Sequence, residues 1–169
     1  VSKTATYSIT VANQNSVTYV ASANHSDKDP VSTWTSSLIT LTFDKNEGST
    51  DPTYYASGAS TRLYANGTLT VSGETNIVIT QINITFGNSS TNPFTADVGT
   101  LTCDTSNAKW TGSSNSVTFT VGGTSKNRYI QSVEVIYTVS IDIGGGGDVS
   151  EPDSVTLDPT SHTMNVGES

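Results

Sequence analysis

Aromatic side chains and a few cations are the residues of this chain best suited to hold a ligand. In proteins built from β-sheets, exposed aromatic rings stack on the flat faces of sugar rings, and polar side chains at the rim fix the orientation of the sugar. We predict that a ligand-binding surface of this kind would be built from Tyr54, Tyr55, Arg62, Tyr64 and Trp34.

The acidic residues suggest a metal site more readily than a catalytic pair. Glycoside hydrolysis needs two carboxylates that converge on one bond, and no spacing among these acids singles out such a pair. Calcium binds carboxylate and carbonyl oxygens in loops, and Asp27 and Asp29 alternate in a predicted loop. They fall short of a complete calcium-binding motif, so a structural calcium ion and an ordinary solvated turn both stay open.

No motif for nucleophilic, phosphate-binding or zinc chemistry occurs in the sequence. We predict that the protein is not an enzyme and that it needs no cofactor beyond the calcium alternative. Trp110, which precedes a Thr-Gly pair, and Tyr137, which lies in an apolar run, are predicted to be buried anchors of the core. Cys103 is the sole cysteine, which excludes an internal disulfide, and we predict that it is a small buried residue.

Net charge argues against two classes of partner. The chain carries 15 acids against 7 bases, a formal charge of −8, and its cations are scattered. Phosphate backbones would be repelled, so we predict no nucleic-acid binding. An apolar run of about 18 residues is also missing, so we predict no insertion into a membrane.

The elements that must position these residues are β-strands. Apolar residues alternate with Thr, Ser and Asn at a period of two, and turn residues recur about every 8 to 12 positions. This pattern predicts an all-β, two-sheet antiparallel sandwich of the jelly-roll or immunoglobulin-like kind. The predicted strands cover 4–11, 16–21, 38–43, 61–65, 68–72, 77–86, 98–103, 116–121 and 129–139.

Two local patterns allow sharper predictions. Between Ile77 and Phe86 the apolar phase changes from odd to even positions, and a β-bulge near Thr80-Gln81 would reconcile the two halves. Residues 62–71 read as a hairpin with Leu63 opposite Leu69 and a left-handed Gly67. In this register Leu63, Leu69 and Val71 point inward, whereas Arg62 and Tyr64 point outward.

A run of four glycines marks the end of the sandwich. Glycine-rich segments have the highest backbone entropy, so we predict a domain over residues 1–140 and a flexible linker over 141–153. Residues 154–169 contain Val155, Leu157, Pro159, Met164 and a Val166-Gly167-Glu168 turn. These resemble the first strands of the group 2 bacterial immunoglobulin-like repeat of invasin- and intimin-type proteins. The resemblance implies a truncated second module.

Residues 1–140 carry a second resemblance. The segments Tyr54-Tyr-Ala-Ser-Gly, Trp110-Thr-Gly and Arg128-Tyr-Ile-Gln-Ser-Val look similar to an accessory β-sandwich module that recurs in secreted and surface proteins of bacteria. This resemblance implies an appended domain without catalytic residues.

We therefore predict a non-catalytic structural or adhesive module of a multidomain bacterial protein, located outside the cell or on its surface. A glycan or a surface protein would be its partner, and the strand at the C-terminus would allow self-association. The alternatives are a carbohydrate-binding module, a decoration protein of a phage virion or fibre, and a secreted enzyme domain.

Overall fold

The structure is a computed structural model that describes residues 13–87, 92–124 and 127–140, all within one compact unit, Thr10–Ile141. It confirms the predicted all-β, two-sheet antiparallel sandwich. The predicted strand 4–11, the linker 141–153, the partial repeat 154–169 and its proposed self-association lie outside the described residues. In the part of the chain that is described, no helix has both the length and the apolar character needed to cross a membrane.

The described residues form twelve strands and two short helical turns. One α-helical turn, α1, covers Ala21–Asn24, and a single 3-10 turn covers Ala56–Gly58. The strands are β1 (Gln14–Val20), β2 (Thr33–Thr35), β3 (Ile39–Asp44), β4 (Thr53–Tyr55), β5 (Ser60–Tyr64), β6 (Thr68–Gly73), β7 (Ile77–Phe86), β8 (Phe94–Ala96), β9 (Thr100–Cys103), β10 (Asn107–Ser114), β11 (Ser116–Val121) and β12 (Asn127–Val139).

The strands divide into a seven-stranded and a five-stranded sheet. The larger sheet has the order β4-β5-β12-β7-β10-β9, and the smaller has the order β2-β3-β6-β11-β8. Strand β12 is long enough to pair with β5 at its start and with β1 along the rest of the same edge. Strand β5 therefore lies between β4 and the start of β12, and several of the predicted site residues lie on these neighbouring strands.

Alternation along each strand builds the core between the two sheets. In β3, for example, Ile39, Leu41 and Phe43 are buried while Thr40 and Thr42 are partly exposed, as predicted. Burial of branched and aromatic side chains at every second position supplies the main favourable free energy of such a sandwich. The predicted core anchors Trp110 and Tyr137 are buried as well.

The predicted bulge in β7 is confirmed. Opposite β12, Gln81 pairs with Ile136 and Ile79 pairs with Tyr137, so Thr80 is the extra residue. The Thr80 hydroxyl donates to the Ile136 carbonyl at 3.2 Å. Because of this insertion, all five apolar residues at positions 77, 79, 82, 84 and 86 point into the core.

The predicted hairpin pairing of Leu63 with Leu69 is wrong, because β5 belongs to the larger sheet and β6 to the smaller one. The turn between them crosses from one sheet to the other, and the Asn66 amide donates to Val121 at 2.7 Å. Asn66, with φ of 67°, takes the left-handed conformation that was predicted for Gly67. The predicted inward side chains, Leu63, Leu69 and Val71, are nevertheless fully buried.

The prediction that Cys103 is buried is also wrong: its side chain is exposed. Strand β9 lies at the edge of the larger sheet and pairs on one side with β10. An edge strand of four residues is covered less than a central strand, so three of its four residues are exposed.

Candidate binding surface

Three of the predicted site residues meet on the outer face of the larger sheet. In register, Thr53 of β4 faces Arg62 of β5, which in turn faces Tyr129 of β12. On either side of Arg62 in β5, Thr61 and Leu63 are buried against the core. The intervening side chains therefore project outward, and they form what we call the tyrosine–arginine cluster: Tyr55, Arg62, Tyr64 and Tyr129.

The Arg62 guanidinium is the centre of this cluster. Its carbon lies 3.8 Å from the centroid of the Tyr55 ring and 5.1 Å from that of the Tyr129 ring. Attraction between a cation and an aromatic ring at these distances contributes about 0.5–1 kcal/mol at exposed sites, and more where water is excluded. The stacking holds the planar guanidinium in a defined orientation.

Two phenol groups complete the cluster. The hydroxyls of Tyr55 and Tyr64 are 3.4 Å apart, within hydrogen-bond distance. Partial burial and the neighbouring Tyr55 hydroxyl raise the pKa of Tyr64, while Arg62 acts in the opposite direction. Tyr64 is therefore a neutral phenol at physiological pH, able both to donate and to accept a hydrogen bond.

The charge of Arg62 has no acidic counterpart among the described residues. The ion pair recorded among these residues joins Lys45 to Asp51 at 3.2 Å and does not include Arg62. The buried Nε of Arg62 also has no hydrogen-bond partner among the described residues. The cluster therefore offers guanidinium and phenol donors with no protein carboxylate to occupy them.

A row of polar side chains lies further along the same outer face. Asn83 of β7 is paired in register with Glu134 of β12. The Gln81 side-chain amide donates to Asn83 at 3.0 Å, and the Asn83 amide donates to the Glu134 carboxylate at 2.7 Å. This row is charged on Glu134 and otherwise made of amides, which is chemistry suited to hydroxyl groups.

The other predicted ligand-binding residues lie elsewhere. Tyr54, which alternates with Tyr55 along β4, points inward and is only 4% exposed. Trp34 is on β2 of the smaller sheet, where it is partly buried and packs edge-on against Tyr19 at 5.6 Å. Neither side chain is part of the tyrosine–arginine cluster.

The predicted calcium ligands each accept a hydrogen bond from the backbone. Asp27 accepts from the Ala56 amide at 2.8 Å, and Asp29 accepts from the Ser26 amide at 2.7 Å. No group of three or more acid, histidine or cysteine side chains converges on one point among the residues that the structure describes. Both acids act as turn-stabilising acceptors here, and a calcium ion at this loop stays a prediction.

Sequence reasoning did not select Tyr129 for the cluster. The register of β12 shifts between Ile130 and Ser132, so the alternation before Gln131 is out of phase with the alternation after it. As a result Tyr129 faces outward, and Arg128 faces inward at 4% exposure. The Arg128 guanidinium donates to the backbone carbonyls of Asn92 and Asp104, so it ties two loops together. Before the shift the buried residues are Arg128 and Ile130, so the apolar pattern gives only a weak signal for this arrangement.

Comparison of the chain with models of protein families, with curated proteins and with solved structures finds no match.

Proposed function

We propose that this domain is a non-catalytic adhesive module of a larger extracellular protein and that it contacts its partner through the tyrosine–arginine cluster. The observation that carries the proposal is the concentration of three tyrosines on one outer face around an arginine that pairs with no acid among the described residues. Tyrosine and arginine dominate the energetically important positions of protein surfaces that bind partners.

The positions of the acids support a non-catalytic role. Carboxylates in the loops accept hydrogen bonds from backbone amides and so stabilise turns, which is a structural task. Four of these acids stabilise turns, namely Asp27, Asp29, Asp44 and Asp104, whereas Asp97 accepts from the Thr118 amide of strand β11 at 2.9 Å. The extracellular location rests on the resemblance to modules of bacterial surface proteins, because a single cysteine suits a cytosolic protein as well as an exported one.

A carbohydrate is the partner class that the surface favours. Three phenol rings lie next to one another on a sheet face, and the amide row of Gln81 and Asn83 lies on the same face. Rings and side-chain amides together match the flat faces and hydroxyl groups of a sugar chain. We therefore propose, as a more specific form of the adhesive role, that the domain is a carbohydrate-binding module.

An array of immobilised glycans tests the proposal. We expect the wild-type domain to bind a subset of the glycans, and we expect Tyr64→Ala and Tyr129→Ala to lower that binding roughly tenfold or more. Thr70→Ala, on the outer face of the smaller sheet, is the matched control and should bind as the wild type does. Equal binding by all four proteins would place the contact elsewhere, and no binding by the wild type would remove the carbohydrate formulation.

A further inference from the structure

We propose that the tyrosine–arginine cluster binds the carboxylate of an acidic glycan, such as a chain of neutral sugars that contains one uronic acid, with Arg62 as the residue that selects for the acid. This inference rests on the proposed function, because it names the ligand class of the same surface.

The charge of Arg62 is not balanced by an acid among the described residues. A guanidinium carries five N–H donors in a planar fork that matches the two oxygens of a carboxylate. In the part of the chain that the structure describes, no acid pairs with Arg62 and its Nε has no hydrogen-bond partner. The fork is fixed by the Tyr55 and Tyr129 rings, so little side-chain entropy remains to be lost when an anion binds.

The two phenols beside Arg62 add hydrogen-bond donors to the cluster. The hydroxyls of Tyr55 and Tyr64 stand next to Arg62, and their mutual contact of 3.4 Å is long for a bond between hydroxyls. An incoming anion can replace that contact and accept a hydrogen bond from each hydroxyl. A carboxylate held by a guanidinium and two phenols would exchange its water partners for charge-assisted hydrogen bonds.

The net charge of the whole chain favours a glycan over ligands with a higher density of negative charge. With a formal charge of −8, the chain repels nucleic acids and strongly acidic peptides. The cluster contains one cation, which pairs with one carboxylate, while the remaining surface of the ligand must be neutral. A glycan in which one uronic acid lies among neutral sugars has this composition, because it carries a single carboxylate among hydroxyl groups.

Titration calorimetry with three probes tests this inference: a galactose oligomer that ends in one galacturonate (galacturonate below), the same oligomer built from galactose alone, and a short oligomer of glutamate. We expect galacturonate to bind at least about tenfold more tightly than galactose, and glutamate to bind more weakly than galacturonate. Added salt should weaken galacturonate binding, since the pair is partly exposed.

Substitutions of Arg62 and of Lys45 test whether Arg62 causes the preference for galacturonate. Arg62→Gln should abolish the preference for galacturonate over galactose, and Arg62→Lys should restore only part of it, because lysine lacks the planar fork. Lys45→Gln removes the same charge from the loop after β3 and should leave the preference unchanged. The unfolding midpoint of each variant shows whether it is folded, and a misfolded Arg62→Gln leaves Arg62→Lys as the test.

Three results would overturn the inference: equal affinity for galacturonate and galactose, tighter binding of the glutamate oligomer, or a preference that survives Arg62→Gln. If galactose binds equally well and Tyr64→Ala weakens both sugars, the carbohydrate-binding surface stands while its acid selectivity does not. If no probe binds, both fail.

Discussion

At the scale of single residues, the Trp110 indole shows how closely this sandwich is packed. Its ring N–H donates to the Val98 carbonyl at 2.6 Å, and two glycines lie against the ring. A Cβ on Gly99 would stand 2.4 Å from the indole nitrogen, and one on Gly112 would stand 2.6 Å from a ring carbon. The indole therefore fits only because both neighbours lack side chains.

Gly99→Ala should destabilise the domain by about 2 kcal/mol or more. Gly99 has φ of 74°, where a non-glycine residue costs on the order of 1–3 kcal/mol, and the added methyl group would also push on Trp110. Urea denaturation measures the difference. Gly58→Ala is the control, because a Cβ there meets only the Ser60 hydroxyl at 3.2 Å. Equal denaturation midpoints for both variants would contradict the packing described.

Because of the Tyr19 phenol, the free energy of unfolding should vary with pH in the alkaline range. Burial raises the pKa of Tyr19 from 10.0 to about 12, although its hydrogen bond with Thr61 acts in the opposite direction. Above pH 10.0 the unfolded chain releases this proton before the folded chain does, so the stabilisation is complete below that pH and is lost as the pH rises towards 12.

We expect the free energy of unfolding to fall by roughly 3 kcal/mol across this interval through Tyr19, since each pKa unit corresponds to about 1.4 kcal/mol. Tyr19→Phe has no proton to lose at this site and should show a shallower decline. Urea denaturation followed by circular dichroism at a series of alkaline pH values measures both slopes. Parallel curves for the two proteins would show that Tyr19 does not cause the effect.

At the scale of elements, bulges decide which residues the strands bury. The bulge at Thr80 was predictable, because the apolar residues on either side of it define two phases in one strand. The shift near Gln131 was not identified, because polar residues surround it and the phase before it rests on Arg128 and Ile130. A buried arginine does not fit a pattern in which apolar residues point inward. The sequence pattern therefore did not predict that Tyr129 points outward.

Deleting Thr80 should cost at least about 3 kcal/mol. The deletion would turn Ile77 and Ile79, which are 1% and 0% exposed, towards solvent, and burial of each such side chain contributes about 1.5–3 kcal/mol. Thr80→Ala keeps the bulge and loses one hydrogen bond, for which we expect a cost of about 1 kcal/mol. Chemical denaturation compares the two variants. A deletion as mild as the alanine substitution would mean that the strand can slip without penalty.

Most long strands were predictable from alternation, but the pairing of strands was not. The short strands β2, β4 and β8 have three residues each, too few for a periodic signal. In β10 the buried residues are just Ala108 and Trp110, so its apolar pattern is weak. The turn at Asn66 has the sequence of a hairpin, and a contact distant in sequence, with Val121, directs it to the second sheet.

At the scale of the whole molecule, the two outer faces of the sandwich differ in chemistry. The smaller sheet presents cross-strand rows of hydroxyl groups, and the Thr70 and Thr118 hydroxyls lie 3.1 Å apart. Its main rows are Thr33-Thr42-Thr70-Thr118 and Thr35-Thr40-Ser72-Ser116. Such rows are favourable in strands and carry no charge. The larger sheet instead carries the tyrosine–arginine cluster and the Gln81-Asn83-Glu134 row.

Part of the candidate site was predictable from the sequence, because some of its residues are close together along the chain. Residues 54–64 contain adjacent tyrosines, and the alternation in this segment places an arginine on the outer face. This pattern predicted three members of the cluster: Tyr55, Arg62 and Tyr64. Which of Tyr54 and Tyr55 faces outward depends on the pairing of β4 with β5, and the position of Trp34 depends on its place in the other sheet. These are long-range relations that local pattern does not contain.

The central claim is that this domain binds its partner on the larger sheet, at the tyrosine–arginine cluster. Mapping amide chemical-shift changes during titration with the tightest-binding glycan of the array tests it most directly. We predict changes concentrated at Tyr55, Arg62, Tyr64 and Tyr129. Changes concentrated on the hydroxyl rows around Thr70 and Thr118, with the cluster unaffected, would contradict the claim.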